Sequence, residues 1–386
     1  MFFVILIHYG EIALKGKNRG FFEKALSENI KKTLEKGFFK SIKVGFGRIL
    51  LELPEGVDLK EVEKKLSTVF GIANFAFVLK TTAEIKALKE KSLALLEKED
   101  FKTFRVTAKR AEKALPFTSQ QVNEELGGLI QNKLLKKVKL ENPDLTLFIE
   151  ITNKEAFLFI KKIKGLGGLP VGVSGKAVSL LSGGIDSPVA SLMAMKRGLE
   201  VLLAHFESVP YSTKQSIEKV EKLAQKLNVY QKPLKLYLFP FASIQKEILL
   251  KCQEQFRVIL YRRAMFKIAE KLANEEKAKV LVTGDNLGQV ASQTIENLNT
   301  VGKAVDLLVL RPLICYDKEE IIEKSKKLGF FETSILPFND CCSRFLPRMP
   351  EIHSKINEVI KEEAKCEKLS ELIENAFKNA KIKKIN

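Results

Sequence analysis

One run of six residues, Ser182-Gly183-Gly184-Ile185-Asp186-Ser187, constrains this chain more than any other. It follows an apolar run, Ala177 to Leu181, that predicts a buried parallel strand. It precedes Pro188 to Arg197, which predicts an amphipathic helix with Gly198 as its stop signal. A strand that turns through paired glycines into a helix N-terminus makes an anion site. Backbone N–H groups converge on one point, and the helix dipole adds partial positive charge there. Ser182 and Ser187 add hydroxyl donors, and Asp186 is placed to hold Mg²⁺ beside phosphates. No G-x-x-x-x-G-K-[ST] string occurs, so the commoner nucleotide loop is excluded. The competing reading is a plain Gly-rich turn, against which the fit of both flanks weighs.

The chain is long enough, at 386 residues, for two or three domains. Its 45% hydrophobic and 29% charged residues are the balance of a soluble globular protein. No run approaches the ~18 apolar residues that a membrane span needs, so no membrane partner is expected. Met1 to Ile7 is apolar but lacks a basic leader, and charges follow at Glu11 and Lys15. It reads as a first β-strand and not a signal peptide, which makes the cytoplasm the expected location. The net charge of +18 favours a polyanionic partner, although a Lys-rich solvated surface on a heat-stable protein accounts for it equally well. Five cysteines without a C-x-x-C pair predict no disulfide framework. With His8, His205 and His353 as the only histidines, no zinc site is expected either.

Three regions follow one another. Residues 1–60 read strand, helix, strand, strand, the helix running near Phe21 to Leu34 with Phe22, Leu26, Ile30 and Leu34 on one side. Residues 61–165 alternate again. Val62 to Leu66 is helical in pattern and Phe75 to Leu79 strand-like. A helix capped by Ser119 carries Val122, Leu126, Ile130 and Leu134, and strands follow at Leu145 to Ile151 and Ala156 to Ile160. Residues 166–176, rich in glycine, read as a linker, with a second phosphate loop as the alternative. From 177 to 386 the pattern is βαβα, with strands at Ala177–Leu181, Val201–Phe206, Lys235–Phe239 and Lys279–Val282 and one long helix from Phe241 to Asn274. Such crossovers imply a parallel sheet covered on both faces, with a ligand at the carboxyl ends of its strands. The SGGIDS turn, His205-Phe206 and Thr283-Gly284-Asp285 stand at three such ends and are expected to converge on one nucleotide. The basic tail, Lys381 to Asn386, is expected to fray, a nucleic-acid contact being the alternative.

Four stretches carry a family resemblance: His8-Tyr-Gly-Glu-Ile-Ala-Leu-Lys-Gly-Lys-Asn-Arg19; Phe104-Arg-Val-Thr-Ala-Lys-Arg110 with Pro116-Phe-Thr-Ser119; the SGGIDS turn; and Gly284-Asp-Asn-Leu-Gly-Gln-Val-Ala-Ser-Gln-Thr294. The third is similar to the signature of the PP-loop ATP pyrophosphatases. All four together resemble the tRNA 4-thiouridine synthase (ThiI) family over nearly the whole chain. The resemblance implies a ferredoxin-like N-terminal domain, a THUMP RNA-binding domain and a PP-loop domain with a parallel, Rossmann-like sheet, an α/β and α+β multidomain fold. It implies a sulfurtransferase that uses ATP and Mg²⁺ to adenylate the C4 oxygen of the uridine at position eight of tRNA and then installs sulfur. It also implies a side role in thiamine thiazole synthesis through a ubiquitin-like sulfur carrier, a cysteine desulfurase as sulfur donor, and a homodimer.

Residue by residue, the resemblance brings ATP against Leu180, Leu181, His205, Phe206, Arg262, Gly284 and Gln293, beside Ser182, Gly183, Gly184, Asp186 and Ser187 of the turn. For His205, a ring that serves the fold while its backbone binds is the even alternative. Lys318 matches a lysine of the adenylation step, and Cys342 the catalytic cysteine, with Arg344 nearby to favour its thiolate. Buried apolar roles compete for Cys341 and Cys342, and more strongly for Cys252 in the long helix. Longer relatives carry a rhodanese domain after this point, and this chain is expected to lack it. That leaves three sulfur routes open: a persulfide on Cys342 resolved by Cys341, Cys315 or Cys366; free sulfide; or an iron–sulfur cluster, against which the missing C-x-x-C speaks. For tRNA, the basic clusters are Lys15, Lys17 and Arg19; Arg105, Lys109, Arg110 and Lys113; and Lys161, Lys162 and Lys164. They suit phosphate contacts, with solvated faces as the plainer reading of each. Another PP-loop ligase or base modifier, and a non-catalytic tRNA-binding scaffold, are the competing functions.

Overall fold

The computed structural model describes residues 4–45, 47–111, 115–152, 154–211, 213–337 and 347–385. The chain divides into two compact units, Met1–Pro170 and Val171–Asn386.

The first unit opens with β1 (Val4–Tyr9), α1 (Arg19–Leu34), β2 (Ser41–Gly45), β3 (Arg48–Glu52), α2 (Leu59–Leu66) and β4 (Ile72–Thr82). It continues with α3 (Ile85–Leu96), β5 (Thr103–Arg110), α4 (Ser119–Leu134), β6 (Lys137–Val138), β7 (Leu145–Ile151), β8 (Glu155–Phe159) and β9 (Ile163–Lys164). Among the described residues the strand order is β2-β3-β1-β4-β8-β7-β5-β6, with β9 on β4. β4 joins two half-sheets: Ile72–Val78 pairs antiparallel with β1, and Leu79–Thr82 with β8. One face of each half packs on helices. Leu26, Ile30 and Leu34 of α1 and Val62 and Leu66 of α2 cover Ile5, Ile7, Ile49 and Leu51. Leu88 of α3 and Val122, Leu126 and Ile130 of α4 cover Phe104, Val106, Leu147 and Ile149. The i, i+4, i+8 spacing of these helical residues is the stripe that burial requires. The N-cap of α4 is Thr118, one residue before the expected Ser119. Its hydroxyl accepts from Gln121 N while the Gln121 side chain accepts from Thr118 N, a capping box.

The opposite faces of the two halves fold toward each other. Val4, Leu6, Ala76, Val78, Phe157 and Phe159 make a further core there. β1 and β7 stand three steps apart in the sheet, about 14 Å if it were flat. Yet His8 Nε2 lies 3.1 Å from Glu150 Oε2, and Arg48 Nη1 of β3 lies 3.0 Å from the same oxygen. His8 Nδ1 is held by Asn74 Oδ1 at 3.2 Å. Burial alone would raise the Glu150 carboxyl, but the His8 hydrogen bond and the positive charges of Arg48 and Lys162 outweigh it and hold the group below the usual carboxylate range. The boundary expected at residue 60 falls inside α2, whose Val62 and Leu66 belong to the first half's core. The change from one half to the other occurs along β4, because both halves share it.

The second unit carries β10 (Lys176–Leu180), α5 (Asp186–Lys196), β11 (Glu200–Glu207), α6 (Lys214–Asn228), β12 (Leu234–Pro240), α7 (Ala242–Lys251), α8 (Arg257–Glu276) and β13 (Val280–Val282). Then come α9 (Ile295–Gly302), β14 (Leu308–Leu310), α10 (Lys318–Lys327), α11 (Phe331–Ser334), α12 (Ile356–Ala364), α13 (Leu369–Lys378) and β15 (Lys381–Ile385). The sheet order is β14-β13-β10-β11-β12-β15, parallel except for β15.

Two expectations are corrected here. The long helix is two helices, α7 and α8, because Cys252 takes an extended backbone (φ −109°, ψ 155°) and Gln253 N donates to the Glu362 carboxylate instead of continuing the ladder. The tail does not fray. β15 adds to the edge of β12, Ile385 is buried, and Lys381 and Lys383 pair with Glu207 and Glu221. The division between the two units, after Pro170, falls inside the glycine-rich stretch expected as a linker. Gly165 N and Gly167 N donate to Ala73 O and Ile72 O in the first unit, and Gly172 N and Ser174 N to Gly198 O in the second. A Cβ on Gly165 would stand 2.2 Å from Ile72 O, so only glycine fits that approach. Among the described residues no helix is long and apolar enough to cross a membrane.

Replacing Glu150 by alanine leaves Arg48 and His8 facing each other without their carboxylate and is expected to cost about 3 kcal/mol of stability. The lowered carboxyl contributes stability above its unfolded value of about 4.3, and this contribution is lost as pH falls through the folded value. Thermal melts from pH 7 to pH 3 should show the parent's advantage over Glu150→Ala shrinking on the acid side. Equal melting temperatures at pH 7 would exclude this strut.

Candidate nucleotide site

The second sheet reverses its chain order at β10, continuing to β11 and β12 on one side and to β13 and β14 on the other. The connections after neighbouring strands part at such a point and leave a crevice at the carboxyl ends. The crevice is a cavity of about 410 Å³.

Its floor is the turn after β10. Ser182 N donates to Ser187 Oγ at 2.9 Å, Gly184 N donates to Ser182 Oγ at 3.1 Å, and Ser187 Oγ donates to Ser182 O at 3.2 Å. The serines therefore brace the turn from within, beside the first turn of α5. Gly284, after β13, comes so close that a Cβ there would lie 2.8 Å from Ser187 N and 2.9 Å from the Asp186 carbonyl carbon. On the other side His205 Nδ1 lies 2.8 Å from Leu181 O, tying the end of β11 to that of β10. Phe206 stacks on Phe239 at 5.5 Å between ring centres. The three strand ends expected to converge thus line one cavity.

Charged groups cluster at its rim. Asp186 Oδ1 accepts from Lys318 Nζ at 2.7 Å and Oδ2 from Gln289 Nε2 at 3.0 Å. Asp285 is buried and accepts from Arg262 Nη2, from Arg311 Nε at 3.3 Å and from Thr283 Oγ1 at 2.8 Å. Burial would raise the Asp285 carboxyl, but Arg262 first, then the Thr283 hydroxyl and Arg311, outweigh it and keep it below the usual carboxylate range. One carboxylate facing two guanidiniums leaves local positive charge beside the cavity. Gln289 Oε1 and Gln293 Oε1 are buried in the lining without hydrogen-bond partners among the described residues.

Leu180, Leu181, Ser182, Gly184, Asp186, Ser187, His205, Phe206, Arg262, Gly284 and Gln293 all line the cavity. Gly183 lies in the turn between them, and Lys318 reaches the rim through Asp186. Sequence reasoning placed Asp285 at one of the converging strand ends but did not assign Gln289 and Arg311, nor the apolar wall of Val258, Met265 and Phe266. Their signal is present: Val258, Arg262, Met265 and Phe266 stand at i, i+4, i+7 and i+8 on α8 and share one face. Asp186, with a carboxylate at the rim of an anion site, fits Mg²⁺ held jointly with phosphates. Among the described residues no group of three or more His, Cys, Asp or Glu side chains is arranged to hold a metal ion. Cys341, Cys342, Arg344 and Lys113 lie outside the described residues. Of the resolving candidates, Cys315 is exposed and Cys366 is buried.

In the first unit the basic residues are more engaged than their sequence suggests. Lys15 Nζ lies 5.1 Å over the Phe22 ring, Arg19 pairs with Glu23, and Lys162 Nζ covers Phe148 at 4.2 Å. Arg110 donates to the carbonyls of Leu115 and Phe117. Arg105 donates to Leu140 O at 2.9 Å and lines a groove of about 720 Å³ between β5 and α4, floored by Gly127 and Gly128. A Cβ on either glycine would meet nothing within 4 Å.

The family model for thiamine biosynthesis protein (ThiI) matches residues 172–368, that for the ThiI ferredoxin-like domain residues 4–76, and that for the THUMP domain residues 82–161. The chain belongs to the ThiI family. It is 41% identical to a probable tRNA sulfurtransferase of Moorella thermoacetica, covering 97% of each chain. It is 41% identical to another of Thermus thermophilus, covering 97% of this chain and 92% of the relative. Its fold matches a crystal structure of a 4-thiouridine synthetase–RNA complex with bound ATP at a TM-score of 0.91 and 38% identity, over 100% of both chains.

Asp285→Ala strands two guanidiniums beside this cavity and is expected to cost about 3–5 kcal/mol. ATP should raise the melting temperature of the parent by mass action and raise that of the variant less. A variant with parental stability and parental ATP protection would contradict this account of the Arg262 anchor.

Proposed function

We propose that this chain is an ATP-dependent tRNA sulfurtransferase that converts the uridine at position eight of tRNA to 4-thiouridine. The observation that carries this reading is the braced SGGIDS turn at the switch point of the parallel sheet, in a chain that matches an ATP- and RNA-bound 4-thiouridine synthetase end to end. In uracil the C4 oxygen is a poor leaving group. Its attack on the α-phosphorus of ATP expels pyrophosphate and leaves C4 bonded to an adenylate. A sulfur nucleophile then adds at C4, and the C4–O bond breaks as AMP departs.

The residues suit that sequence. Phe206 and the wall of Val258, Met265 and Phe266 make the apolar side for the base of the nucleotide, and the Ser182–Ser187 turn with the start of α5 meets the phosphates. Asp186 would hold Mg²⁺, which supplies charge neutralisation beside those phosphates. Lys318 and Arg262 bring fixed positive charge to the α-phosphate, the kind of electrostatic support that adenylation needs. Cys342 receives sulfur as a persulfide from a cysteine desulfurase and presents its outer sulfur to C4. A second thiol then completes the transfer, closing a disulfide with Cys342 as the C4 sulfur is released. Exposed Cys315 suits that role better than buried Cys366, and closure with adjacent Cys341 would be strained. The same persulfide would serve thiazole synthesis through a ubiquitin-like carrier.

For tRNA, the groove over Gly127 and Gly128 has room for an unpaired base beside Arg105, the mode by which single-stranded RNA is read. Lys15, Lys17, Arg19, Lys109, Arg110 and Lys113 supply phosphate contacts around it. The protein acts in the cytoplasm, and a homodimer would let one subunit hold the tRNA that the other modifies.

Unmodified tRNA, Mg²⁺, sulfide and ATP labelled at the α-phosphate should yield labelled AMP and 4-thiouridine. ADP, or AMP formed without tRNA, would refute the proposal. Asp186→Ala should abolish AMP formation, and Lys318→Ala should slow it by about 10²–10³-fold. Cys342→Ala should keep adenylation and thiolation with free sulfide but lose transfer from a desulfurase; normal transfer in that variant would remove Cys342 from the mechanism.

A further inference from the structure

Two buried cysteines stand outside the lining of the nucleotide cavity. Cys252 stands at the break between α7 and α8, and Cys366 in the turn between α12 and α13. Their sulfurs are 3.2 Å apart, across a sequence separation of 114. Both are buried, at 7% and 4% exposure. Cys252 Sγ also donates to Glu362 O at 3.3 Å. The two segments are held face to face by groups other than the thiols. Gln253 N and Nε2 both reach the Glu362 carboxylate at 3.0 Å, and Arg263 and Lys267 of α8 pair with Glu363 at 2.8 and 2.6 Å. The sulfurs therefore meet in a prearranged contact, and a bond requires them to close by only about 1 Å to the ~2.05 Å of a disulfide.

We propose that Cys252 and Cys366 form a redox modification site, a dithiol that exchanges with a low-molecular-weight disulfide to become an intramolecular disulfide. One cysteine thiolate attacks the small disulfide and expels one small thiolate, leaving a mixed disulfide. The other cysteine thiolate attacks the protein sulfur of that mixed disulfide and expels the second. The two cysteines lose two electrons and two protons, and the small disulfide gains both as two thiols. The bond would tie the α12–α13 turn to the α7–α8 break and close a loop containing Arg262, Asp285 and Lys318. A loop of that length strongly restricts the unfolded chain, so the oxidised form is the more heat-stable.

The surroundings set the pace. Burial pushes both thiols above the usual range. The carboxylates of Glu247 on α7 and Glu362 and Glu363 on α12 also face the pair, offset at Cys252 by Lys365, while Arg263 is engaged by Glu363. Thiolate is scarce at neutral pH, and exchange accelerates as pH rises.

The test incubates the full chain with oxidised glutathione at pH 7 and pH 8.5, unfolds it in N-ethylmaleimide and maps peptides without reduction. The expected product is a Cys252 peptide joined to a Cys366 peptide, formed faster at pH 8.5. Its melting temperature should rise by roughly 5 °C or more and return after dithiothreitol. Cys366→Ser should instead keep glutathione on Cys252, and Cys252→Ser should keep it on Cys366, neither with a rise in melting temperature. Recovery of both cysteines alkylated in the parent, or joined to glutathione or to another cysteine, would overturn the proposal.

Discussion

The nucleotide site depends on how closely the chain after β13 approaches the first turn of α5. Gly284 fills that gap, where any Cβ would collide with the backbone of Asp186 and Ser187. The approach brings Asp285 and Gln289 to the crevice together. Asp285 then collects Arg262 from α8 and Arg311 from the segment after β14, while Gln289 reaches Asp186. A side chain at 284 would push the segment away, and the carboxylate that anchors two guanidiniums would lose its place. The charge pattern beside the cavity is thus a consequence of one backbone contact.

The first unit rests on a different device. β4 is long enough to belong to two half-sheets, and the fold along it brings His8, Arg48 and Glu150 from distant strands to one point. His8 opens the first family motif, and Glu150 lies in a strand that reads as plainly apolar. The ion pair closes an angle that apolar packing of Phe157 and Phe159 begins. The groove over Gly127 and Gly128 opens on the other half, where two successive glycines of α4 bring no side chains to its lining.

Much of this was readable in the residues. The stripes at Leu26, Ile30 and Leu34 and at Val122, Leu126 and Ile130 predicted helices and the faces they bury, because helical period and burial are the same constraint. The SGGIDS turn and its two partner strand ends predicted the crevice, because parallel strands leave their ligands at carboxyl ends. The break at Cys252 was not readable. The apolar period runs on through it, and the group that ends the ladder, Glu362, is distant in sequence. The tail was misread for a similar reason: Lys-Ile-Lys-Lys-Ile is an ordinary basic end until the edge of β12 offers it hydrogen bonds and Glu207 and Glu221 offer it charge.

Local chemistry therefore carried the glycine-rich turn after β10, the order of strands and helices, and the strand ends that line the crevice. These follow from period, turn preference and the polarity of a helix start, all set by neighbours in the chain. Folding decided the partners. The Lys318–Asp186 pair, the Asp285 anchor, the His8–Glu150–Arg48 strut and the Cys252–Cys366 contact each join residues far apart in sequence. Such pairs depend on where whole strands and helices come to rest, and no local pattern of residue types encodes that distance.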